Sequence, residues 1–460
     1  MMPNKLRLTS FALTALLAAP AMAQEGLIEV YQRAVQNDPA IREAEANYLA
    51  TAEVKPQARA ALLPGLTLGS SLSNRHVDTR GGALAPDGST IGTRSVFDQD
   101  GHGWSVSLTQ TLFDWSNYAT LRQADKRVLR AETDYEAAKQ DLLIRVATRY
   151  FDVLAAEDNL ASAVAAREAI ARQLEQAQRR FEVGLIAITD VQQSQAGYDD
   201  AVAAEIEAQR LLSTSHEFLR EIVGEVVTDL QSPTDELPLL TPDPASAEQW
   251  VMTALQQNLA LVSSRLAAEV ALDEIAIQRA NRLPTVSLSA AYTEDTNDRT
   301  QTIYNSTGGA IVSPSTQLPD GRSWSIDLRF PLFTGGLNRS RVQQSVYQHR
   351  SAEDALERIA RQTERQARDA YLGVISEISR VRALRQAVES NRTALRATEA
   401  GFEVGTQTTV DVLASQNNLR RAETTYSRSR YDYILNVLRL KQAAGNLSVA
   451  DVEQVDGWLQ

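Results

Sequence analysis

The segment Trp104-Ser-Val-Ser-Leu-Thr-Gln-Thr-Leu-Phe113 returns 220 positions later as Trp324-Ser-Ile-Asp-Leu-Arg-Phe-Pro-Leu-Phe333. In the first copy Trp104, Val106, Leu108 and Leu112 alternate with Ser105, Ser107, Thr109 and Thr111; in the second Trp324, Ile326, Leu328, Phe330 and Leu332 alternate with Ser325, Asp327 and Arg329. A period of two marks a strand with one apolar and one polar face. A shorter alternation precedes each copy: Leu66, Leu68 and Leu72 against Thr67, Gly69 and Ser71, then Val286, Leu288, Ala290 and Tyr292 against Ser287, Ser289 and Ala291. A soluble sandwich with its apolar face inward produces this pattern, and so does a membrane barrel with its apolar face outward. The small hydroxylic polar faces and strand lengths near the ~9–11 residues that cross a bilayer favour the barrel. Aromatic residues at the strand ends, Trp104, Trp324, Phe113 and Phe333, are then expected at the membrane interface.

The repetition extends well beyond the strands. Leu63-Pro64 returns as Leu283-Pro284 at the same offset of 220, and Tyr150 and Phe181-Glu-Val-Gly184 return as Tyr371 and Phe402-Glu-Val-Gly405 at 221. Solenoid periods are about 20–50 residues, so this is a duplicated half-molecule. The first repeat is read at 24–225, with strands at about 66–74 and 103–112, a long helix 114–181 and a return helix 189–223. The second is read at 245–445, with strands at about 285–293 and 323–332, a long helix 336–402 and a return helix 409–444. Residues 226–244, with four prolines, read as an irregular linker, and 446–460 as a tail. Polar excursions at 74–103 and 293–323 read as long outer loops.

No proline or glycine interrupts 114–181, which at 1.5 Å per residue predicts about 100 Å of helix. Leu121, Val128, Tyr135 and Leu142 recur every seven residues with Ala124, Ala131 and Ala138 between them, so the helix packs laterally against others. Each long helix ends at a glycine turn, Val183-Gly184-Leu185 or Val404-Gly405-Thr406, where glycine supplies the left-handed position after the helix. The return helices are about half as long, so the helical segments at 25–61 and 245–281 are expected to cover the upper part of the long helices.

Lys5 and Arg7, the apolar run 11–19 and Ala21-Met22-Ala23 read as a signal peptide over 1–23, so the protein is expected to be exported. With 58 acidic and 46 basic residues the net charge is −12, and −14 without Lys5 and Arg7, which disfavours nucleic acid as a partner. There is no cysteine, hence no disulfide and no thiol for a lipid anchor at the cleavage site. No run approaches the ~18 apolar residues of a membrane helix. His76, His102, His216 and His349 are scattered, without metal-ligand spacing, and no nucleophile elbow or phosphate loop occurs. No catalytic residue, metal or cofactor is expected.

Four strands cannot close a barrel, since about eight are needed to fill the lumen, and open edges are not tolerated in lipid. Membrane-embedded strands therefore demand an oligomer, with three copies giving 12 strands as a natural solution. Heptads alone would equally serve a non-conducting coiled-coil structural protein or adhesin of the cell envelope.

Thr111-Leu-Phe-Asp-Trp115, Pro331-Leu-Phe-Thr-Gly-Gly336, the Val404-Gly-Thr tip with Val410-Asp-Val-Leu413, and Arg430-Tyr-Asp-Tyr433, in this order and repeat spacing, resemble the TolC family of outer-membrane efflux and secretion ducts over essentially the whole mature chain. The resemblance implies a mainly α protomer of long antiparallel coiled-coil helices and four β-strands, trimeric, with a 12-strand β-barrel in outer-membrane lipid continuous with a 12-helix α-barrel crossing the periplasm. It implies docking of a periplasmic adaptor and an inner-membrane transporter at Val183, Gly184, Leu185, Val404, Gly405 and Thr406. It also implies an acidic ring at the periplasmic entrance, for which Asp411 is the candidate, whereas Asp411 and its equivalent Asp190 read on their own as helix-start acids. Phe402 and Gln407 stand where family members carry gate contacts, and Ala414 where some carry a second acid.

Overall fold

The computed structural model describes residues 24–84, 86–88, 90–234, 237–304 and 309–459; the expected signal peptide lies outside them. In chain order the elements are α1 (Leu27–Asn37), α2 (Pro39–Ala52), α3 (Val54–Ala60), β1 (Gly65–Leu84), β2 (Thr90–Phe113), α4 (Trp115–Glu182), α5 (Ile188–Val223), α6 (Ala247–Gln257), α7 (Leu259–Ala280), β3 (Thr285–Tyr304), β4 (Ala310–Gln317), β5 (Asp320–Arg329), α8 (Leu337–Glu403), α9 (Thr409–Ala444) and α10 (Val449–Asp456). Two compact units emerge. Of the described residues, one comprises 24–44 with 136–259 and 361–459, the other 45–135 with 260–360.

In the second unit all strands form one antiparallel sheet in the order β1-β2-β3, with β4 and β5 both paired to β3. β4 and β5 are thus two pieces of one strand position, parted at Leu318-Pro319, where proline lacks a ladder donor. The strands are far longer than the alternating segments. β1 and β2 pair from Gly65↔Thr109 to Leu84↔Thr90, and β2 pairs β3 as far as Arg94↔Tyr304. The stretches 74–103 and 293–323 are therefore mostly hairpin extensions and not loops. They are polar on both faces, so apolar periodicity vanishes although the backbone ladder continues. Cross-strand pairs such as Asn74 Nδ2 to Asp100 Oδ1 (2.6 Å) and Arg94 to Asp78 (2.9 Å) hold the register instead. β5 also stops at Arg329, short of the expected 332, and Pro331 explains why.

Within the paired register the apolar residues fall on one face. Leu66 lies opposite Leu108, Leu68 opposite Val106, Val106 opposite Tyr292, Leu288 opposite Ile326 and Val286 opposite Leu328. Leu66, Leu68, Ile326 and Leu328 are 72, 73, 58 and 69% exposed, a face with no protein cover, while Thr67, Ser105, Ser107, Ser289 and Ser325 lie on the other.

Asp114 starts α4: its Oδ1 accepts the Ser116 N–H at 2.8 Å and the Ser116 hydroxyl at 2.6 Å, satisfying a free donor of the first turn. The helix therefore begins at Trp115 and not at 114. Gly335 and Gly336, at φ +61° and +87°, precede α8, which begins at Leu337. α7 packs against α4, a helix of the other repeat: Gln123 Nε2 donates to the Val270 carbonyl (2.9 Å), and Lys126 and Arg122 meet the buried Asp273 at 2.9 and 3.0 Å. Tyr48 stacks on Tyr135 at 5.8 Å, so α2 and α7 both cover α4.

In the first unit Tyr150, Phe151 and Leu154 of α4, Tyr431, Leu435 and Leu438 of α9, Leu219 of α5 and Val30 of α1 are all at most 2% exposed. The linker 226–244 is tied to this core by side chains. The Tyr150 hydroxyl lies 2.7 Å from the Gln231 carbonyl and 3.0 Å from that of Glu25. Arg430 Nη2 donates to the carbonyls of Pro233 and Thr234 (2.9 and 2.6 Å), and Tyr433 Oη accepts the Leu240 N–H at 2.9 Å. The 446–460 segment is not a simple tail. It contains α10, whose Asp456 accepts the Ile28 N–H at 3.2 Å.

Two outcomes are expected from these contacts. Leu68→Arg places a charge on the uncovered apolar face, which in a bilayer costs about 2–4 kcal/mol near the midplane; the outer-membrane level on immunoblots should fall, while Ser287→Arg on the hydroxylic face should leave it near normal. Tyr150→Phe strips the Gln231 carbonyl of the linker, and that of Glu25, of their donor at about 1–2 kcal/mol, so limited proteolysis should cut within 226–244 faster than in the unaltered protein.

Candidate functional site

The two helix tips share one construction. α4 ends with Gly184 at φ +76° and α8 with Gly405 at φ +79°. The Gly184 N–H bonds the Phe181 carbonyl (2.8 Å) and the Leu185 N–H that of Arg180 (2.9 Å); in the second tip the Gly405 N–H bonds the Phe402 carbonyl (3.2 Å) and the Thr406 N–H that of Gly401 (2.8 Å). These paired bonds close the last carbonyls of each helix and require a left-handed residue. A Cβ at either glycine would meet nothing within 4 Å, so their constraint is conformational and not steric. The turns display apolar side chains: Val183, Leu185 and Val404 are 70, 72 and 76% exposed.

α9 begins with a reciprocal cap. Asp411 Oδ2 accepts the Thr408 N–H (2.9 Å) and hydroxyl (2.6 Å), and the Asp411 N–H donates back to Thr408 Oγ1 (3.3 Å). Those bonds from Thr408 hold the exposed Asp411 carboxyl below its ordinary range. α5 has half of this arrangement. Asp190 Oδ2 accepts the Ala187 N–H at 3.2 Å, but alanine offers no oxygen in return. Both acids are thus helix-start acids by geometry, with Asp411 the more firmly fixed. Ala414 is exposed beside it, without a carboxylate.

Phe402 receives the Arg180 guanidinium 5.0 Å from its ring centroid, which ties the two tips to each other. The Gln407 N–H bonds the Gly401 carbonyl at 3.2 Å, closing its own turn, and its exposed side chain touches no other tip residue by any bond seen among the described residues. Trp104 packs on Tyr292 at 5.3 Å and is 40% exposed, while Trp324, Phe113 and Phe333 are 75, 39 and 89% exposed. In the sheet Trp104 stands opposite Glu294 and Trp324 opposite Ala290, so the two tryptophans occupy different levels of the band.

Some residues near the tips give no sign in the sequence. Gln173 of α4 is buried with neither amide atom bonded, and Gln416 Oε1 of α9 is likewise unpaired. Both line a cavity of about 220 Å³ with Phe402 and Val412. Leu413 abuts Gly197, where a Cβ would come within 3.0 Å, so α5 and α9 approach closely through a residue without a side chain. Heptad reading registers such polar seam positions only as interruptions. Among the described residues no group of three or more potential metal ligands occurs, and no helix is long and apolar enough to cross a membrane.

A profile of the family described as "Outer membrane efflux protein" matches residues 30–225 and 250–446. The outer membrane protein TolC of Vibrio cholerae is 35% identical over 442 residues, covering 96% of this chain and 95% of that protein. The alkaline protease secretion protein AprF of Pseudomonas aeruginosa is 30% identical, covering 94% and 86%. The solved CmeC outer membrane channel of Campylobacter jejuni superposes with a TM-score of 0.73 at 16% identity, covering 100% and 98%. Both halves being matched and the relatives covered nearly end to end, the chain belongs to the outer membrane efflux protein family.

Proposed function

We infer that the protein is an outer-membrane exit duct: a homotrimer anchored by its sheet, extending through the periplasm and releasing proteins by type I secretion, small toxic compounds, or both. The observation that carries this reading is the sheet's uncovered apolar face set against a hydroxylic one, in a chain whose two halves carry matching helix tips. A lipid-facing barrel with a wetted lumen requires that face pattern, and an envelope spacer or adhesin does not. The name of the Pseudomonas relative, which speaks of alkaline protease secretion, supports a polypeptide cargo. A periplasmic adaptor and an inner-membrane transporter complete the system, the adaptor contacting the exposed Val183, Leu185 and Val404. In a planar bilayer the purified protein should form discrete conducting channels; closed membranes at all protein loads would sink the duct reading.

Three copies of Asp411 around a narrow entrance would focus negative potential, although in this chain the same carboxylate caps α9. The two roles separate by substitution. Asp411→Asn should lower cation preference and relieve block by multivalent cations, whereas Asp190→Asn should change neither; equal conductance effects from both would leave Asp411 as a cap only. The cap has its own pH signature. Because the folded pKa is below the ordinary 3.8, the contribution to α9 is present above that value and fades as pH drops through the lower folded value.

Gly405→Val forces a β-branched residue into the left-handed region, costing roughly 1–2 kcal/mol, with no clash to relieve. Export should fail while trimer and outer-membrane level stay normal, read by secretion and drug-susceptibility assays. Undiminished export would remove the tip as the docking surface.

A further inference from the structure

The second repeat carries arginines where the first carries small apolar residues. At the offset of 221 that relates the two tips, Arg382, Arg385 and Arg392 of α8 stand at the places of Ala161, Val164 and Ala171 of α4. The same helical hairpin forms without them, so its packing does not call for them. Together with Tyr426 and Arg430 of α9 and Ser232 of the linker, these three arginines border a cavity of about 830 Å³ that lies wholly within the first unit.

The carboxylates that reach this cavity are already engaged. Glu389 lies four residues after Arg385, yet it faces Arg392 and Arg396, at 3.4 and 3.6 Å. Glu423 also holds Arg392, at 3.3 Å, and Asp158 accepts the Tyr431 hydroxyl at 2.7 Å. Arg382 and Arg385 are left without an ion pair among the described residues, and like charges three residues apart on a helix repel each other. Arg430 gives Nη2 to the Pro233 and Thr234 carbonyls, while its buried Nε has no acceptor. A buried charged donor without a partner is costly. The cavity is therefore short of acceptor oxygens and of negative charge.

We propose that this cleft between α8, α9 and the linker is a binding site for a small organic polyanion, a phosphate ester or a polycarboxylate with at least two anionic groups. Guanidinium forks take carboxylate and phosphate oxygens in pairs, which suits Arg382 and Arg385, and the Arg430 Nε gains the acceptor it lacks. The Tyr426 and Ser232 hydroxyls are further donors. The volume falls within the roughly 300–1,000 Å³ of small-molecule sites and exceeds what one inorganic ion fills. Because its walls come from two helices and the linker, an occupant ties the linker to both. The site belongs to a single chain and stands apart from the duct reading.

The test uses the full chain in detergent, with pyrophosphate and citrate as probes and potassium chloride at matched ionic strength as the control. Isothermal titration calorimetry should give one site per chain with a dissociation constant below about 1 mM, within reach of a few charge-assisted bonds. Arg382→Gln with Arg385→Gln should raise that constant roughly tenfold or more. Arg365→Gln with Arg368→Gln, on the same helix but outside the cavity and already paired with Asp369 and Glu364, should leave it within about twofold. In the unaltered protein the bound probe should also slow proteolysis within 226–244, and chloride should not. Binding of pyrophosphate alone supports the site and narrows its occupant to phosphate esters; binding of citrate alone supports it and narrows the occupant to polycarboxylates. Binding of neither probe, or binding that the Arg382, Arg385 pair does not weaken, overturns the proposal. If that variant misfolds by circular dichroism, failure of the probes to protect the linker overturns it instead. Protection equalled by chloride would mark an adventitious ion only, and binding to dissociated chains that is lost in the assembled protein would give the cleft to a neighbouring copy; either result overturns it.

Discussion

The outer edges of the sheet govern the rest of the molecule. β1 on one side and β4 with β5 on the other each present one edge that pairs with no strand among the described residues, and in hydrocarbon every unpaired N–H or C=O costs several kcal/mol. Four strand positions are too few to curl the edges onto one another. Closure has to come from further copies, so a membrane embedding and an oligomer are a single requirement. The helices inherit it: whatever number of sheets closes the barrel fixes the number of helical hairpins.

Duplication supplies that many strands and helices from one chain, and the two halves have since divided their labour. The tips keep identical backbone bonds, but only the second has a threonine to complete the cap, Thr408 against Ala187. α7, encoded in the second half, covers α4 of the first through Gln123, Lys126 and Asp273. A half-chain expressed alone would leave Asp273 or its two cations without partners, and an unpaired buried charge is among the larger penalties a fold can carry.

Much of this was legible in the residues. Periodicity of two located the apolar band at Leu66, Val106, Val286 and Ile326, periodicity of seven the long helices, and Gly184 and Gly405 their ends. The hairpin extensions were not legible, because strand reading depends on apolar alternation and residues such as Asn74, Asp78, Asp98 and Thr300 offer none; their order comes from the ladder itself. The cap role of Asp411 was open to reading from Thr408 three residues before it. The contact of Arg180 with Phe402 and the unpaired Gln173 and Gln416 were not, since they depend on how helices distant in sequence are rotated toward one another.

The two ends of the folded chain each meet the linker, Glu25 pairing with Leu230 and Pro233 with Leu459, and are stitched to each other where Ile28 bonds Asp456, 428 residues away. Contacts separated by more than 400 residues are slow to form. A polypeptide that emerges on the far side of a translocation pore beginning with its first residues cannot seat α1 until its last dozen have crossed. The first unit therefore cannot complete its packing from an N-terminal fragment alone, and until the last helix is present its unfinished surfaces and strand edges stay open to the wrong partners.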